Sequence, residues 1–370
     1  MNKMISNPAG IDIADVADAL RGRKVLVTGG SGFIGGRLIE RLLIECGAHP
    51  RVLLRNYSRA AKLARFGLDN IEIVIGSLTD PASLGAAVEG CSVVFHCAYE
   101  RGDLKSNTTG VQAMIDACIA EKARLVHVSS FGVYEPLPNG DLTEDTKPVR
   151  SGIPYSETKL DVEETVLQAV QIKGLDATVI MPTLVYGPNS KTWTLLPASQ
   201  LQSGTVLLPE NGQGLCNVVY VDDLCQALIR AGVAPAARGR RYLISGESPV
   251  TWFALFKGYA DELKVPGPQA LDNVEFRKRK AMSGVKQWAK KNVSPSLKAL
   301  LKKLYGMMYR NVGPARIHVE SGQRLALYIS KCHVRIDRAK AELGYQPAFD
   351  LNRAMQTTGA WLRWMLPPES

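Results

Sequence analysis

The chain has 370 residues, 46% of them hydrophobic and 22% charged, proportions that indicate a globular protein with a sizeable core. No uninterrupted apolar run approaches the roughly 20 residues of a membrane span, and the acidic first twenty residues argue against a secretory signal. Seven dispersed cysteines, without a Cys-x-x-Cys or Cys/His cluster, are typical of free thiols in a reducing compartment. We therefore expect a cytoplasmic protein with no metal site.

The net charge of +10 is concentrated in one segment of the chain. Between Phe276 and Val319 there are twelve Lys or Arg residues and no Asp or Glu, so the rest of the chain sums to −2. The basicity is therefore a local property, and no nucleic-acid-binding motif accompanies it. We expect no nucleic-acid partner.

The first half of the sequence alternates buried strands with helices. After an N-terminal leader, residues 1–23, apolar runs predict parallel strands at 24–28, 51–55, 71–75, 92–97, 124–129 and 177–181. Helices are predicted between them, one of which begins with Asp80 as N-cap and Pro81 at the first position. His96 lies within an apolar run, which predicts a buried, hydrogen-bonded histidine. The alternation is typical of a Rossmann-type, doubly wound α/β fold.

The alternation weakens after residue 182. The segment 218–224 predicts a short strand followed by a helix capped by an aspartate, Asp222 or Asp223. A final helix is predicted near 354–366 and packs through Trp361, Leu362 and Met365. We expect a dinucleotide-binding domain at 24–182 and a smaller, mixed substrate-binding lobe at 183–370. The lobe contains a basic helical insert at about 266–332 and the C-terminal helix.

A glycine-rich turn follows the first predicted strand. Gly29, Gly32 and Gly35 are spaced as in turns where the first glycine allows the tight turn, the second lets a pyrophosphate approach, and the third lets helix and strand pack closely. The N–H groups of the following helix would bind the phosphates.

Arginine stands where the second predicted strand ends. An NAD enzyme of this kind usually has Asp or Glu there, accepting hydrogen bonds from the ribose hydroxyls. Here the position holds Arg55, and Arg59 follows four residues later. A guanidinium matches a 2′-phosphate in geometry and charge, so we favour NADP as cofactor, with NAD as the alternative.

A hydroxyl pair and a Tyr-x-x-x-Lys spacing follow in the order that hydride-transfer chemistry needs. Ser129 and Ser130 end the fifth predicted strand, at the edge where parallel sheets bind ligands. Tyr155 and Lys159 lie one turn apart on a predicted helix and therefore share a face.

These motifs together resemble the extended short-chain dehydrogenase/reductase family, also called the NAD-dependent epimerase/dehydratase family, over about residues 22–265 and 333–365. The matching motifs are Thr28-Gly29-Gly30-Ser31-Gly32-Phe33-Ile34-Gly35, Ser129-Ser130 with Val133-Tyr134, Tyr155-x-x-x-Lys159, Val185-Tyr186-Gly187-Pro188, Val221-Asp222-Asp223-Leu224 and Leu343-Gly344-Tyr345-Gln346-Pro347.

The resemblance implies a role for each matching residue. Tyr155 would be the general acid/base, Lys159 its helper and Ser130 the hydroxyl that holds the substrate oxygen. Ser77 stands where the family usually has aspartate, and Glu135 where it usually has glycine. With the two arginines above, the expected cofactor contacts are Gly29, Gly32, Phe33, Ile34, Gly35, Arg55, Arg59, Ser77, Leu78, Cys97, Ala98, Asn107, Tyr155, Lys159, Pro182 and Thr183.

The residue types indicate the chemistry. A lysine ammonium and an oxidised nicotinamide both stabilise a neighbouring phenolate, so Tyr155 would move a proton while hydride passes between nicotinamide and a carbinol or carbonyl carbon. Our first hypothesis is an NAD(P)-dependent oxidoreductase. The second is a sugar or nucleotide-sugar epimerase or dehydratase that uses the same three residues. A cofactor-sensing regulatory protein is a third hypothesis, of low weight because the Tyr/Lys pair is present.

Two departures from the nucleotide-sugar members favour a less polar substrate. Leu184 stands where those members usually have an asparagine that binds the diphosphate, and Cys216-Asn217-Val218 stands where an Arg-Asp-Phe is frequent. A diphosphate buried without donors would be costly. The pattern is closer to the reductases of the family, which act on small or lipophilic carbonyls and alcohols.

The basic insert and the oligomeric state complete the expectations. Within the insert, residues 294–308 predict an amphipathic helix rich in lysine. We favour a lid over the substrate pocket and keep a peripheral contact with anionic membrane as the alternative. By resemblance, the helices at 104–121 and 154–172 would form the contact of a homodimer.

Overall fold

The structure is a computed structural model and describes residues 13–100, 104–279, 316–319 and 322–367. The helix predicted at 294–308 lies outside these residues. Within the described ranges, no helix has the length and apolar character needed to cross a bilayer.

The described chain consists of short strands and helices in close alternation. Its strands are β1 Lys24–Thr28, β2 His49–Leu54, β3 Glu72–Ile75, β4 Val93–His96, β5 Arg124–Val128, β6 Gly140–Leu142, β7 Ala177–Pro182, β8 Leu184–Tyr186, β9 Gly204–Leu208, β10 Leu215–Cys216, β11 Val218–Tyr220, β12 Arg241–Ile244, β13 Val250–Thr251, β14 Gln269–Ala270, β15 Arg316–Val319 and β16 Cys332–Val334. Its helices are α1 Ile13–Leu20, α2 Phe33–Ile44, α3 Pro81–Val88, α4 Leu104–Glu121, α5 Pro154–Lys173, α6 Leu196–Ser203, α7 Val221–Val233, α8 Trp252–Leu263, α9 Gly322–Tyr328, α10 Asp337–Leu343 and α11 Leu351–Met365.

The chain divides into two compact units, each discontinuous in sequence. The first unit comprises Met1–Tyr186, Asn217–Ser248 and Cys332–Asp350, and the second comprises Gly187–Cys216, Pro249–Lys331 and Leu351–Ser370. The division expected from the sequence had a single boundary after residue 182, because alternation of strands and helices does not show when a chain returns to an earlier unit.

A seven-stranded parallel sheet forms the centre of the first unit, in the order β12-β7-β5-β4-β1-β2-β3. The order reverses between β1 and β4, which is the point where open α/β sheets bind ligands. The central strands are almost wholly buried, as expected for a parallel sheet covered by helices. One group of helices packs α2 on α7, and another packs α3 on α4 and α4 on α5. The predicted Rossmann-type α/β fold is confirmed.

Two local predictions in this unit are confirmed. Asp80 caps α3, its carboxylate accepting a hydrogen bond from the Ala82 N–H, and Pro81 occupies the first turn. His96 is buried, and its Nδ1 lies 2.8 Å from the hydroxyl of Thr28 on the neighbouring strand.

The predicted aspartate cap of α7 is wrong. Helix α7 begins after Tyr220, which makes no side-chain cap. The buried carboxylate of Asp223 instead accepts hydrogen bonds from the N–H groups of Ala348 at 2.8 Å and Phe349 at 3.2 Å, while Asp222 pairs with Arg37 of α2. Both acids serve contacts with segments distant in sequence, which a cap prediction from neighbouring residues cannot include.

The second unit has a small core of its own. Its parallel sheet has the order β14-β9-β15, and α8 packs against both α6 and α11. Trp252 is fully buried, and its indole N–H donates to the Leu327 carbonyl. In α11, Leu362 is buried as predicted, but Met365 is 38% exposed, so the expectation that Met365 packs on the body is wrong.

The glycine turn after β1 is crowded by backbone. Gly29 has a φ of +70°, and a Cβ there would lie 2.9 Å from the Ala98 nitrogen, so only glycine fits. A Cβ on Gly35 would lie 2.5 Å from the Gly29 carbonyl oxygen, and one on Gly32 would lie 3.0 Å from that atom. The three glycines thus bring α2, the turn and the segment after β4 into direct contact.

We expect Gly35→Ala to destabilise the protein by about 1–3 kcal/mol, because the added carbon forces the backbone of the turn to move. Gly85→Ala, in the middle of α3, is the matched control. Its Cβ meets nothing within 4 Å, so a gain of about 0.5–1 kcal/mol in helix propensity is expected. Urea denaturation measures both free energies of unfolding, and equal effects would contradict this account of the turn.

Candidate active site

The end of β5 and the start of α5 converge on one position. Ser130 has an extended backbone and lies at the N-terminus of a short 3-10 helix, where its Oγ accepts the Gly132 N–H at 3.1 Å. A carbon added to Gly132 would lie 3.3 Å from Ser130 Oγ and 3.6 Å from Tyr155 Cε1. The serine hydroxyl and the tyrosine ring therefore flank the same small volume.

Helix α5 determines the environments of the tyrosine and the lysine. Pro154 occupies the first turn, where a missing N–H costs nothing, so Tyr155 lies at the helix start and Lys159 one turn later. Tyr155 is 39% exposed, whereas Lys159 is only 6% exposed. The pair thus combines an accessible phenol with a buried ammonium.

The Lys159 ammonium lies among groups of two neighbouring strands. Its Nζ donates a hydrogen bond of 2.8 Å to the Val128 carbonyl at the end of β5, and it lies 4.8 Å from the centre of the Tyr99 ring. The Tyr99 ring meets Tyr155 edge-on, with centroids 5.1 Å apart. Burial lowers the pKa of Lys159 to about 8.

A buried ion pair supports this arrangement, and sequence reasoning missed it. Glu163, one turn after Lys159 on α5, is 1% exposed. Its carboxylate accepts from the Ser129 hydroxyl at 2.7 Å and lies 2.6 Å from the Arg241 guanidinium of β12, which in turn donates to the Tyr134 hydroxyl at 3.0 Å. The sequence does contain a sign of this pair. An acid four residues after Lys159 lies on the same helix face as the lysine, and a buried acid requires a partner.

The segment after β4 lies against the glycine turn. The Ala98 N–H donates to the Thr28 hydroxyl at 3.3 Å, and Gly29 approaches both Cys97 and Ala98. Burial raises the pKa of the Cys97 thiol to about 12. Helix α2 has Gly32 as N-cap, with no side-chain cap. Its first N–H groups, including those of Phe33 and Ile34, have no intrahelical acceptor, and this fits a bound pyrophosphate.

Two of the other residues predicted to contact the cofactor, Asn107 and Arg55, bind groups of the protein. Asn107 binds the backbone of Glu100 on both sides, accepting its N–H at 2.9 Å and donating to its carbonyl at 2.9 Å. Arg55 forms a 2.5 Å ion pair with the Glu100 carboxylate. Arg59 lies exposed on the short 3-10 helix Tyr57–Lys62.

Four further residues of the predicted set lie at strand ends. The Ser77 hydroxyl pairs with that of Thr79 at 2.9 Å, and the Leu78 carbonyl packs on Gly110 of α4. Pro182 ends β7, and the Thr183 hydroxyl donates to Ser245 at 3.2 Å. The first unit thus carries Ser130, Tyr155, Lys159 and all the residues predicted to contact the cofactor.

The residues that stand where nucleotide-sugar members usually have the asparagine and the Arg-Asp-Phe are buried. Leu184 lies in β8, paired with β11. In the first unit, the Asn217 amide accepts the Val334 N–H at 3.0 Å and donates to the Cys332 carbonyl at 2.9 Å. Cys216 is fully buried in β10 of the second unit. Asn217 therefore has a structural role.

Comparison with known proteins shows both reductases and epimerases. The chain is 32% identical over 243 residues to a 2-alkyl-3-oxoalkanoate reductase of Stenotrophomonas maltophilia, covering 61% of this chain and 72% of that one. It is 26% identical to a sterol-4-alpha-carboxylate 3-dehydrogenase of Candida albicans, covering 92% and 97%. The structure of UDP-glucuronic acid 4-epimerase from Bacillus cereus in complex with NAD aligns with a TM-score of 0.69 at 16% identity, covering 94% and 99%.

A family model matches residues 25–245, more than half of the chain. The range runs from β1 to the residue after β12 and includes the glycine turn, Ser130, Tyr155 and Lys159. The resemblance inferred from the motifs is thereby confirmed. The chain belongs to the NAD dependent epimerase/dehydratase family, whose members are NAD-dependent oxidoreductases, epimerases and dehydratases.

Proposed function

We propose that this protein is an NAD(P)-dependent oxidoreductase that interconverts a carbonyl and an alcohol on a small or lipophilic substrate. One observation carries the proposal: Ser130 Oγ and the Tyr155 ring flank one position at Gly132, and the buried Lys159 ammonium lies one turn along α5. A substrate oxygen bound between the Ser130 hydroxyl and the Tyr155 phenol would meet a hydroxyl donor and a proton carrier together.

Each residue of the trio would have a distinct task. Ser130 holds the substrate oxygen by a hydrogen bond, and Tyr155 gives or takes the proton on that oxygen. Lys159 places a positive charge on the Tyr155 side of α5, and such a charge stabilises a phenolate. The nicotinamide, when bound, supplies or accepts the hydride. The Ser129–Glu163–Arg241 contacts hold β5, α5 and β12 in register around these groups.

The cofactor would lie along the carboxyl ends of the strands, with its pyrophosphate at the glycine turn and the uncapped N-terminus of α2. The residues here fit such a group, because α2 begins after Gly32 without a side-chain cap and its first N–H groups have no intrahelical acceptor. Arg55 and Arg59 favour NADP, with NAD as the alternative. The epimerase of known structure named above contains NAD.

The substrate class rests on two kinds of support. The buried Leu184 offers no donor to a diphosphate, and two relatives are named for oxoalkanoate reduction and sterol-carboxylate dehydrogenation. The alternative function is a sugar or nucleotide-sugar epimerase or dehydratase, which the epimerase of known structure favours. Such an enzyme would keep its cofactor bound and consume no NADPH over a complete turnover, whereas a reductase consumes one NADPH per product.

We expect Tyr155→Phe to lower kcat by about 10²–10⁴-fold, the usual contribution of a general acid/base, while leaving cofactor affinity within about twofold. The assay follows NADPH absorbance with a panel of aliphatic and aromatic ketones and aldehydes, and fluorescence titration gives the cofactor Kd. Tyr57→Phe is the control, because Tyr57 is highly exposed in the same unit. Retention of more than about a tenth of the wild-type kcat would contradict the role of Tyr155.

Burial of Lys159 predicts a pH-dependent stability. Its folded-state pKa of about 8 lies below the ordinary 10.5, so between these values the unfolded chain binds the proton and the folded chain does not. The free energy of unfolding of the wild type should therefore rise with pH across this window, by up to about 3 kcal/mol relative to Lys159→Met.

Urea denaturation at pH 7, 8, 9 and 10 measures this difference. Lys173→Met provides the baseline for removing an exposed lysine that pairs with Asp116. A difference between wild type and Lys159→Met that stays constant across the series would contradict the buried, weakly basic ammonium.

The assembly and location complete the proposal. The homodimer would form through α4 and α5, which pack on each other in the first unit.

A cytoplasmic location agrees with seven cysteines that are all free thiols. For the basic insert, the sequence pattern favours a lid, and a peripheral membrane contact is the alternative.

Vesicle pelleting distinguishes the two hypotheses for the basic insert, a lid and a membrane contact. If the insert is a lid, the protein should not sediment with phosphatidylcholine/phosphatidylserine vesicles in a salt-sensitive manner, and phosphatidylcholine vesicles serve as the control. Sedimentation at low salt that is lost at high salt would favour the membrane contact.

A further inference from the structure

An ion pair crosses the cofactor edge of the sheet. Arg55 directly follows β2, and Glu100 lies in the segment after β4. Strand β1 lies between these two strands and carries the glycine turn at its carboxyl end. The 2.5 Å contact between the Arg55 guanidinium and the Glu100 carboxylate therefore spans the end of β1.

Glu100 is held in place by its neighbours. The Asn107 side chain binds both the N–H and the carbonyl of Glu100 at 2.9 Å. Two residues earlier, the Ala98 N–H binds Thr28. The Glu100 side chain is about one third exposed and the Arg55 side chain about half exposed, so both groups remain reachable by a ligand. The acid is thus fixed at its backbone and partly exposed at its side chain.

The two charges of this pair favour different forms of the adenosine ribose, with and without a 2′-phosphate. A 2′-phosphate needs the Arg55 guanidinium, and a nearby carboxylate both occupies that guanidinium and repels the phosphate. An unmodified ribose carries hydroxyls, which can donate to a carboxylate. An acid at the end of β2 usually accepts these hydroxyls, and here Glu100, from the segment after β4, contacts the arginine at that position.

We propose that Glu100 is a specificity-determining residue, which weakens binding of NADP by competing for Arg55 and supports binding of NAD by accepting ribose hydroxyls. The proposal rests on the proposed dinucleotide site. Arg55 and Glu100 together set the ratio of the two affinities, and Asn107 acts as a positioning residue that holds Glu100.

The test is direct binding of NADP and NAD to the full-length protein by isothermal titration calorimetry, with Glu100→Gln as the first variant. Loss of the carboxylate should tighten NADP binding by about tenfold, the order expected when one like charge near a surface is removed. NAD binding should stay unchanged or weaken by a few-fold. Arg55→Gln should weaken NADP binding by about tenfold or more and alter NAD binding little.

Two controls make the result specific. Glu45→Gln removes the acid of another arginine pair, at the far end of α2, where the glutamate side chain is about half exposed, and should alter neither affinity. In the double variant Arg55→Gln/Glu100→Gln, loss of the carboxylate should tighten NADP binding relative to Arg55→Gln by less than it does relative to the wild type, because the competition for the guanidinium is gone and only the repulsion of the phosphate is relieved.

The outcomes separate the two proposals. If the wild type binds neither dinucleotide, the proposed cofactor site is wrong. If it binds one or both, but Glu100→Gln leaves the ratio of the NADP and NAD affinities unchanged, the role of Glu100 is overturned and the cofactor site stands.

Discussion

The hydrogen bond from the buried Lys159 ammonium to the Val128 carbonyl fixes the geometry on which the candidate site depends. It joins α5 to the last residue of β5, two residues before Ser130. A charge at this depth is costly unless it has acceptors, and that cost lowers the pKa of Lys159. The same contact leaves Tyr155, one turn earlier, at the surface of the site. The distance between the serine and the tyrosine therefore follows from where the lysine can find an acceptor.

Two ion pairs extend this constraint in opposite directions across the sheet. Toward β12, Glu163 joins Ser129 of the β5 end to Arg241, so the serine pair cannot shift without breaking a buried contact. Toward β2, Arg55 and Glu100 meet over the end of β1, in a half-exposed position where an ion pair contributes little stability. The first pair holds its elements in place, whereas the second pair can be replaced by contacts with a ligand.

Much of the fold was predictable from local patterns. The parallel strands of the first unit are near-continuous apolar runs, and Asp80-Pro81 is a cap signal contained in adjacent residues. The prediction that Asp223 or Asp222 caps α7 was wrong for the converse reason, because their partners lie more than a hundred residues away in sequence or on another helix. The burial of Met365 was also overestimated. Hydrophobic periodicity identifies the apolar face of a helix, but it does not show how far along the helix other elements cover that face.

The sequence by itself determined the glycine turn and the strand-helix alternation, and it predicted Ser130, Tyr155 and Lys159 as candidate catalytic residues, because these patterns depend on residue type along the chain. Only the tertiary structure decided which acid meets Arg55 and which base meets Glu163. Arg55 and Glu100 follow β2 and β4, which the sheet order β12-β7-β5-β4-β1-β2-β3 places on either side of β1. Glu163 lies on α5 and meets Arg241 of the edge strand β12. Chain order does not give that spatial order, so pairing between distant charges is fixed by the fold and cannot be derived from residue spacing.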